Sequence, residues 1–190
     1  GPDGNMWFTM MADKKVGKVT MGGVVTEYDI SSTIPAVGEA PIGIAEGPDG
    51  NMWVSTGLFT SGVMGVPNGR ILKISTSGAI IDEYPLPNGE PGATDIVEGP
   101  DGNMWFTRGG EADTVNYVGK ITTSGTMTHY TLPGLGAGSS KLTVGADDNI
   151  WYLRSPIEPD DNKIGKVTPS GVVTEYSLPT GAFAYYGITL

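Results

Sequence analysis

Short apolar stretches alternate with Gly, Pro, Asp and Asn along this chain, and the pattern recurs. The nonapeptide GPDGNMWFT at residues 1–9 returns as GPDGNMWVS at 47–55 and GPDGNMWFT at 99–107, with a degenerate copy, GADDNIWYL, at 145–153. An Asp-Gly pair before an apolar stretch is a strong hairpin signal, and Met-Trp-Phe-Thr is typical of a β-strand. These blocks divide the chain into repeats over residues 1–46, 47–98, 99–144 and 145–190.

Each repeat contains three further short blocks that are rich in β-branched and aromatic residues. Such blocks, bounded by turn residues, predict strands, and four short strands in about 46 residues are typical of one blade of a β-propeller. A two-sheet sandwich gives no reason for one sequence to recur four times. The second block is KVGKVT (15–20), RILKIS (70–75), YVGKIT (117–122) or KIGKVT (163–168). The third block is VTEY (25–28), IDEY (81–84), MTHY (127–130) or VTEY (173–176). The fourth block is IGIA (42–45), TDIV (94–97), LTV (142–144) or GITL (187–190).

The repeats predict an all-β fold: one β-propeller domain over residues 1–190, built from four four-stranded blades. The first repeat lacks its first strand, whereas Tyr186–Leu190 has the pattern of one. We expect this C-terminal strand to close the ring, because separated ends leave unpaired strand edges. Closure within one chain, an eight-bladed ring of two chains and a fragment of a longer propeller all fit. We favour the two-chain ring, because closed two-fold assemblies are common.

Composition narrows the possible partners. The 30 Gly and 14 Pro among 190 residues disfavour long helices, because these residues interrupt every stretch of ten to fifteen residues. The net charge of −10 disfavours nucleic acid and anionic membranes, which bind basic surfaces. The chain has no Cys and no apolar stretch long enough to cross a bilayer, so we expect a soluble protein without disulfides. An extracellular and a cytoplasmic location fit equally well.

The repeat resembles that of the streptogramin (virginiamycin B) lyase family. The segments GPDGNMWFT, KIGKVT and GVVTEYSLP carry the resemblance, which extends over all four repeats. It implies a seven-bladed ring that opens a cyclic depsipeptide antibiotic by elimination, with a histidine base and Mg²⁺ held by carboxylates. The only histidine, His129, lies in an outer strand where the other repeats have Glu, and no acidic residue follows the Trp-containing strands. We therefore expect no catalytic residue, and no cofactor unless the chain is a Mg²⁺-dependent lyase.

The recurrent polar and aromatic residues have structural interpretations. A Trp at the same place in every repeat predicts packing between blades rather than sugar stacking. The Asp of each Asp-Gly-Asn turn predicts a hairpin turn rather than a Ca²⁺ site, which needs several alternating carboxylates. We expect Lys18, Lys73, Lys120 and Lys166 to form cross-strand ion pairs with Glu27, Glu83 and Glu175. The acidic segment 158–162 is expected to be a solvated loop.

Function is expected where the repeats differ, in the loops after the second strand and in the connectors that precede the first. In a propeller these loops share one face, called here the loop face, and loops on a rigid scaffold commonly bind ligands. The apolar loop 57–66 suggests a contact with another chain, or a lid. We expect a non-catalytic module that binds a ligand or protein partner on this face, the alternative being a Mg²⁺-dependent lyase. The candidate ligand-binding residues are Arg108, Arg154, Lys141, Asp95, Tyr185 and Tyr186.

Overall fold

The computed structural model describes residues 1–58, 69–87, 92–108, 115–135, 139–154, 162–179 and 187–189. Each repeat has a strand that begins shortly after its Asp-Gly turn, or after Asp147-Asp148 in the fourth repeat, as the sequence predicts. The strands are β1 (Met6–Met10), β2 (Lys15–Val19), β3 (Val25–Asp29), β4 (Glu39–Glu46), β5 (Met52–Leu58), β6 (Arg70–Ile74), β7 (Ile80–Pro85), β8 (Ala93–Glu98), β9 (Met104–Arg108), β10 (Val115–Ile121), β11 (Met127–Leu135), β12 (Ser139–Val144), β13 (Ile150–Arg154), β14 (Lys163–Val167) and β15 (Val173–Ser177).

The strands form four antiparallel sheets in which neighbours in the sequence are neighbours in space. Three sheets have four strands, in the orders β4-β5-β6-β7, β8-β9-β10-β11 and β12-β13-β14-β15, and the first has the order β1-β2-β3. This is the meander topology of propeller blades, and it confirms the predicted all-β class. The predicted closing strand falls on Tyr186–Leu190, of which residues 187–189 are in no strand and the others lie outside the described residues. Ring closure therefore stays a prediction.

The chain divides into two compact units, Gly1–Ile96 and Val97–Leu190, and each has its own apolar core. In both units the core combines the Trp of one sheet with the apolar strand residues of the following sheet. The core of the first unit consists of Trp7, Val16, Ile30, Ile34, Met52, Val54, Leu72 and Ile74. That of the second unit consists of Trp105, Val118, Leu132, Leu142, Ile150, Tyr152 and Val167.

A ring opposite a glycine fills the middle of three sheets. Phe8 lies opposite Gly17, and a Cβ at that glycine would overlap the phenyl ring. The same arrangement joins Phe106 to Gly119 in the third sheet. Tyr152 and Gly165 repeat it in the fourth. The second sheet has Val54 opposite Leu72 instead, so a smaller residue on one strand is matched by a larger one on its neighbour.

Candidate functional site

A quartet of Asp, Trp, Lys and Tyr recurs in every sheet, and the third repeat shows its geometry. Asp101 Oδ1 accepts a 2.9 Å hydrogen bond from Trp105 Nε1, and Lys120 Nζ lies 3.1 Å from Asp101 Oδ2. The ammonium group is 5.1 Å from the indole centroid, and the indole stacks on Tyr130 with centroids 5.3 Å apart. The equivalent quartets are Asp3, Trp7, Lys18 and Tyr28; Asp49, Trp53, Lys73 and Tyr84; and Asp147, Trp151, Lys166 and Tyr176.

The apolar cores confirm that Trp7 and Trp105 pack against the following sheet, whereas the quartets correct the interpretation of the lysines. Lys18 pairs with Asp3, at 3.2 Å, and the predicted pairing with Glu27 is wrong. Lys18 lies opposite Thr26, whereas Glu27 lies opposite Gly17. Successive side chains of a strand point to opposite faces, so this register places Lys18 and Glu27 on different faces of the sheet. Glu27 pairs with Lys15 instead, at 2.7 Å.

The quartets shift the pKa values of their charged members. Burial alone would raise the pKa of Asp101, but hydrogen bonds from Trp105, Asn103 and Lys120 outweigh it and lower the value from 3.8. Burial would lower the pKa of Lys120, but hydrogen bonds and charge interactions with Tyr130 and Asp101 raise it above 10.5. Each ion is therefore stabilised by the fold over most of the pH range.

These shifts predict how stability depends on pH. The folded-state pKa of Asp101 is depressed, so its contribution is complete above the unfolded value of 3.8 and is lost as the pH falls through the folded value. We expect the free energy of unfolding, measured by urea titration at a series of pH values, to decline on acidification. Asp101→Asn removes one such group and should make the acid decline shallower. A decline as steep as that of the unmodified protein would contradict this account.

The structure describes only some of the candidate ligand residues. Asp95 is half-buried in β8, and Lys141 is half-buried in β12. Arg154 ends β13 opposite Ser139, so it and Lys141 lie at the same end of neighbouring strands. Arg108 ends β9, but its side chain, like Tyr185, Tyr186 and most of the apolar loop 57–66, lies outside the described residues.

Arg154 belongs to a buried polar cluster in the fourth sheet. Its residue is 2% exposed, and its Nη1 donates to the carbonyl oxygen of Pro133 at 2.7 Å. Its Nε lies 3.3 Å from Glu175 Oε1, which also accepts a 2.9 Å hydrogen bond from the Tyr152 hydroxyl. Burial, followed by the nearby negative charge of Glu175, raises the pKa of Tyr152 far above its usual value. The tyrosine is therefore a neutral donor that holds Glu175 in place.

A second buried cluster, which sequence reasoning missed, surrounds Arg70 in the first unit. Arg70 Nε and Nη2 donate to the two oxygens of Glu39 at 2.9 and 3.3 Å. Arg70 Nη1 donates to the carbonyl of Thr33 at 2.7 Å, and the Thr56 hydroxyl donates to Glu39 at 2.8 Å. Glu39 is only 2% exposed.

This cluster borders a cavity of about 360 Å³, formed where the connector after β3 meets β6 and β7. The only sequence signal for the cluster is that Arg70 has no arginine counterpart in the other repeats, where Lys15, Tyr117 and Lys163 begin the same block. Glu39 begins β4, three residues before the repeated block IGIA (42–45), in a segment whose sequence differs between repeats.

His129 lies on β11, at the edge of the third sheet, among aromatic rings. It lies opposite Gly119, the position that Glu27 and Glu175 occupy in their own sheets. Its imidazole stacks on the Tyr117 ring with centroids 4.1 Å apart and contacts Phe106 edge-on at 6.3 Å. The histidine therefore takes the place of a Glu that is exposed in the first sheet and largely buried in the fourth, and it packs on an aromatic side chain.

A protein site for Mg²⁺ needs oxygen donors that converge on one point. In the described parts of the chain, no three His, Cys, Asp or Glu side chains are grouped so that they could share a metal ion. The carboxylates of the quartets are each occupied by an indole N–H and an ammonium group, and Glu39 and Glu175 are occupied by arginines. Among the described residues, the carboxylates of these clusters are therefore already engaged by donors of the chain itself.

The repeated blade-like sheets and their quartets define a β-propeller repeat protein. The chain belongs to the virginiamycin B lyase family, whose profile matches residues 1–190. This confirms the resemblance seen in the repeat sequence. A search of curated proteins found no match.

Solved structures of lyases share the fold of this chain. The virginiamycin B lyase of Staphylococcus aureus is 37% identical, with a TM-score of 0.73, over 94% of this chain and 53% of the lyase. A catalytically inactive histidine-to-alanine variant of the enzyme from that organism, with quinupristin, is 36% identical over the same shares, with a TM-score of 0.73. A streptogramin B lyase is 34% identical over 93% of this chain and 52% of the lyase, with a TM-score of 0.72.

The chain thus spans about half the length of the lyases that it matches. The whole enzymes therefore contain a substantial portion with no counterpart here. Among the described residues, no helix has the length and apolar character needed to cross a membrane.

Proposed function

We propose that this chain is a non-catalytic propeller module that binds a ligand or protein partner on its loop face, and that two copies complete a ring. The observation that carries the non-catalytic part is the position of His129. An elimination needs a base within reach of the proton that it removes. The only histidine of the sequence instead packs on Tyr117 at the edge of a sheet, 4.1 Å between ring centroids.

The binding part of the proposal rests on charged residues at one end of adjacent strands. Lys141 and Arg154 lie at that end of β12 and β13, and β9, which Arg108 ends, contacts β12. Arg154 is already held by Pro133 and Glu175, so we assign it the role of positioning this end of the sheet. Direct ligand contacts are proposed for Lys141, Arg108 and Asp95, together with Tyr185 and Tyr186.

The alternative is a Mg²⁺-dependent lyase that acts on a cyclic depsipeptide. Membership of the virginiamycin B lyase family favours it, as does the lyase structure with quinupristin. Elimination removes a proton from carbon, breaks the neighbouring C–O bond and forms a C=C bond, and the released carboxylate recovers a proton, so the ring opens without a change of mass. The two candidates therefore differ in an outcome that chromatography detects.

Quinupristin is the probe that separates binding from catalysis. We expect quinupristin incubated with the protein and MgCl₂ to elute unchanged in liquid chromatography, while calorimetric titration detects binding. Lys141→Ala should weaken that binding, whereas Lys15→Ala, which removes a lysine paired with Glu27 in the first sheet, should leave it unchanged. Appearance of the ring-opened isomer would overturn the non-catalytic proposal and support the lyase.

A further inference from the structure

In every sheet, the face that carries the Trp and Tyr of the quartet is called here the Trp face. In the first unit, the Trp face of the first sheet, with Trp7 and Tyr28, is covered by the sheet that follows it. The Tyr28 ring lies directly against Gly78, where a Cβ would overlap it. Lys18 Nζ donates to the carbonyl oxygen of Thr76 in the same turn, at 2.8 Å. Met52 Sδ lies beside Gly1, 3.0 Å from where a Cβ would be.

The second unit repeats this arrangement. The Tyr130 ring lies against Gly171, where a Cβ would again overlap it. Lys120 Nζ donates to the carbonyl oxygen of Pro169, at 3.1 Å, in the turn that precedes this glycine. The described contacts thus share one pattern. A Tyr ring packs on the turn glycine of the next sheet, and a Lys ammonium group donates a hydrogen bond to a carbonyl oxygen of the same turn.

The Trp face of the fourth sheet is the exposed member of the series. Tyr176 is 47% exposed, whereas Tyr28 and Tyr130 are half-buried. Trp151 borders a cavity of about 460 Å³, together with Asp147 and Ile188. Tyr176 and Trp151 stack with centroids 5.9 Å apart, so the apolar surface is already formed.

The first sheet exposes the complementary surface. Met6 is 61% exposed, although its counterparts Met52, Met104 and Ile150 are at most 3% exposed. Gly23, the counterpart of Gly78 and Gly171, has nothing within 4 Å of where a Cβ would be. This surface therefore has the turn glycine, the turn carbonyl and the apolar strand residue that a Trp face contacts in the other sheets.

We propose that the Trp151–Tyr176 face of one copy docks on the Met6–Gly23 face of a second copy. This inference rests on the proposed two-chain ring and names the surfaces that form it. The Tyr176 ring covers Gly23, Lys166 Nζ donates to the carbonyl oxygen of Met21, and Met6 packs beside Gly145 and Trp151. Two such contacts, related by a two-fold axis, use both faces of both chains.

The turn glycines provide a matched pair of variants. Gly23 and Gly4 both have a positive φ, of 83° and 73°, and both have open space where a Cβ would be. Asn is among the residues that best tolerate this conformation. Gly23→Asn places a side chain where the second copy's Tyr176 ring must lie. Gly4→Asn makes the same change in a turn whose counterparts, Gly50 and Gly102, have open space as well.

The solution mass, measured by sedimentation equilibrium, tests the docking. We expect the unmodified protein and Gly4→Asn at twice the chain mass of 19.8 kDa, and Gly23→Asn at the single-chain mass. Met6→Glu, which puts a charge on the same face at an exposed position, should also give single chains. Circular dichroism checks that each variant remains folded, and a variant that fails this check is replaced by the other.

The outcomes separate this inference from the proposal on which it rests. A two-chain assembly that survives both Gly23→Asn and Met6→Glu would overturn the docking and leave the two-chain ring standing. A single-chain mass for the unmodified protein would overturn both, while ligand binding by the loop face would be unaffected. Mixing Met6→Glu with Tyr176→Ala chains should restore pairs, since each supplies the face that the other lacks.

Discussion

Replacing Trp105 with alanine will cost about 3–5 kcal/mol of the free energy of unfolding, since truncating a fully buried Trp leaves a large cavity. Trp105 is 0% exposed, stacks on Tyr130 and donates to Asp101. The substitution therefore also removes a donor from a half-buried carboxylate. Guanidinium titration followed by circular dichroism measures the loss, which is a large share of the roughly 5–15 kcal/mol that stabilises a typical domain.

Trp151 provides the matched control, because it occupies the same place in a quartet but is half-buried. We expect Trp151→Ala to lose less than half as much stability, measured at a protein concentration where the chain is a monomer. If Trp105→Ala does not fold, Trp105→Phe retains an aromatic ring and removes only the N–H donor to Asp101. Equal losses at the two tryptophans would show that burial in the core does not determine the effect.

Arg70→Met will destabilise the first unit by about 3–5 kcal/mol, because it leaves a buried carboxylate without its counter-ion. Glu39 is 2% exposed and receives two hydrogen bonds from Arg70, at 2.9 and 3.3 Å. The Thr56 hydroxyl remains as a donor, but it does not neutralise the charge. Chemical denaturation of the single variant measures this loss.

The double variant Arg70→Met/Glu39→Leu removes both charges and should recover most of the stability, because apolar residues of similar volume replace a buried pair at little net cost. A double-mutant cycle with Glu39→Leu gives the coupling between the two side chains. Thr56 retains the backbone carbonyl of Arg70 as an acceptor, at 3.2 Å. A double variant as unstable as Arg70→Met would show that the loss is one of packing rather than of charge.

The fold could be predicted from the sequence because local signals agree in every repeat. β-branched strands and a constant Trp recur in all four repeats and an Asp-Gly turn recurs in three, so the same hairpin is specified repeatedly and this redundancy outweighs any ambiguous segment. The lysine pairing was wrong because it required knowledge of register. Shifting the alignment by one residue exchanges the two faces of a strand, and only the structure places Lys18 opposite Thr26.

The candidate site was less predictable, because it depends on residues that do not recur. Glu39 lies 31 positions before Arg70, and no local pattern connects them. Arg154 was identified from its place at a strand end, but its burial and its contact with Pro133 depend on how the chain folds around it. Asp95 is found in a strand, as the repeat predicts, and Lys141 lies in β12 just before the predicted block 142–144, but the repeat contains no information about what they bind.

The ring-and-glycine pairs restrict how the repeats can exchange sequence with one another. A crossover that joined β1 to β6 would place the large side chains of Phe8 and Leu72 opposite each other. The reciprocal product, which joins β5 to β2, would place Val54 opposite Gly17. One product is overpacked and the other has a void, and both are costly in a close-packed interior. Viable exchange must therefore carry both strands of the hairpin together, so the hairpin, rather than the single strand, is the smallest heritable module of this chain.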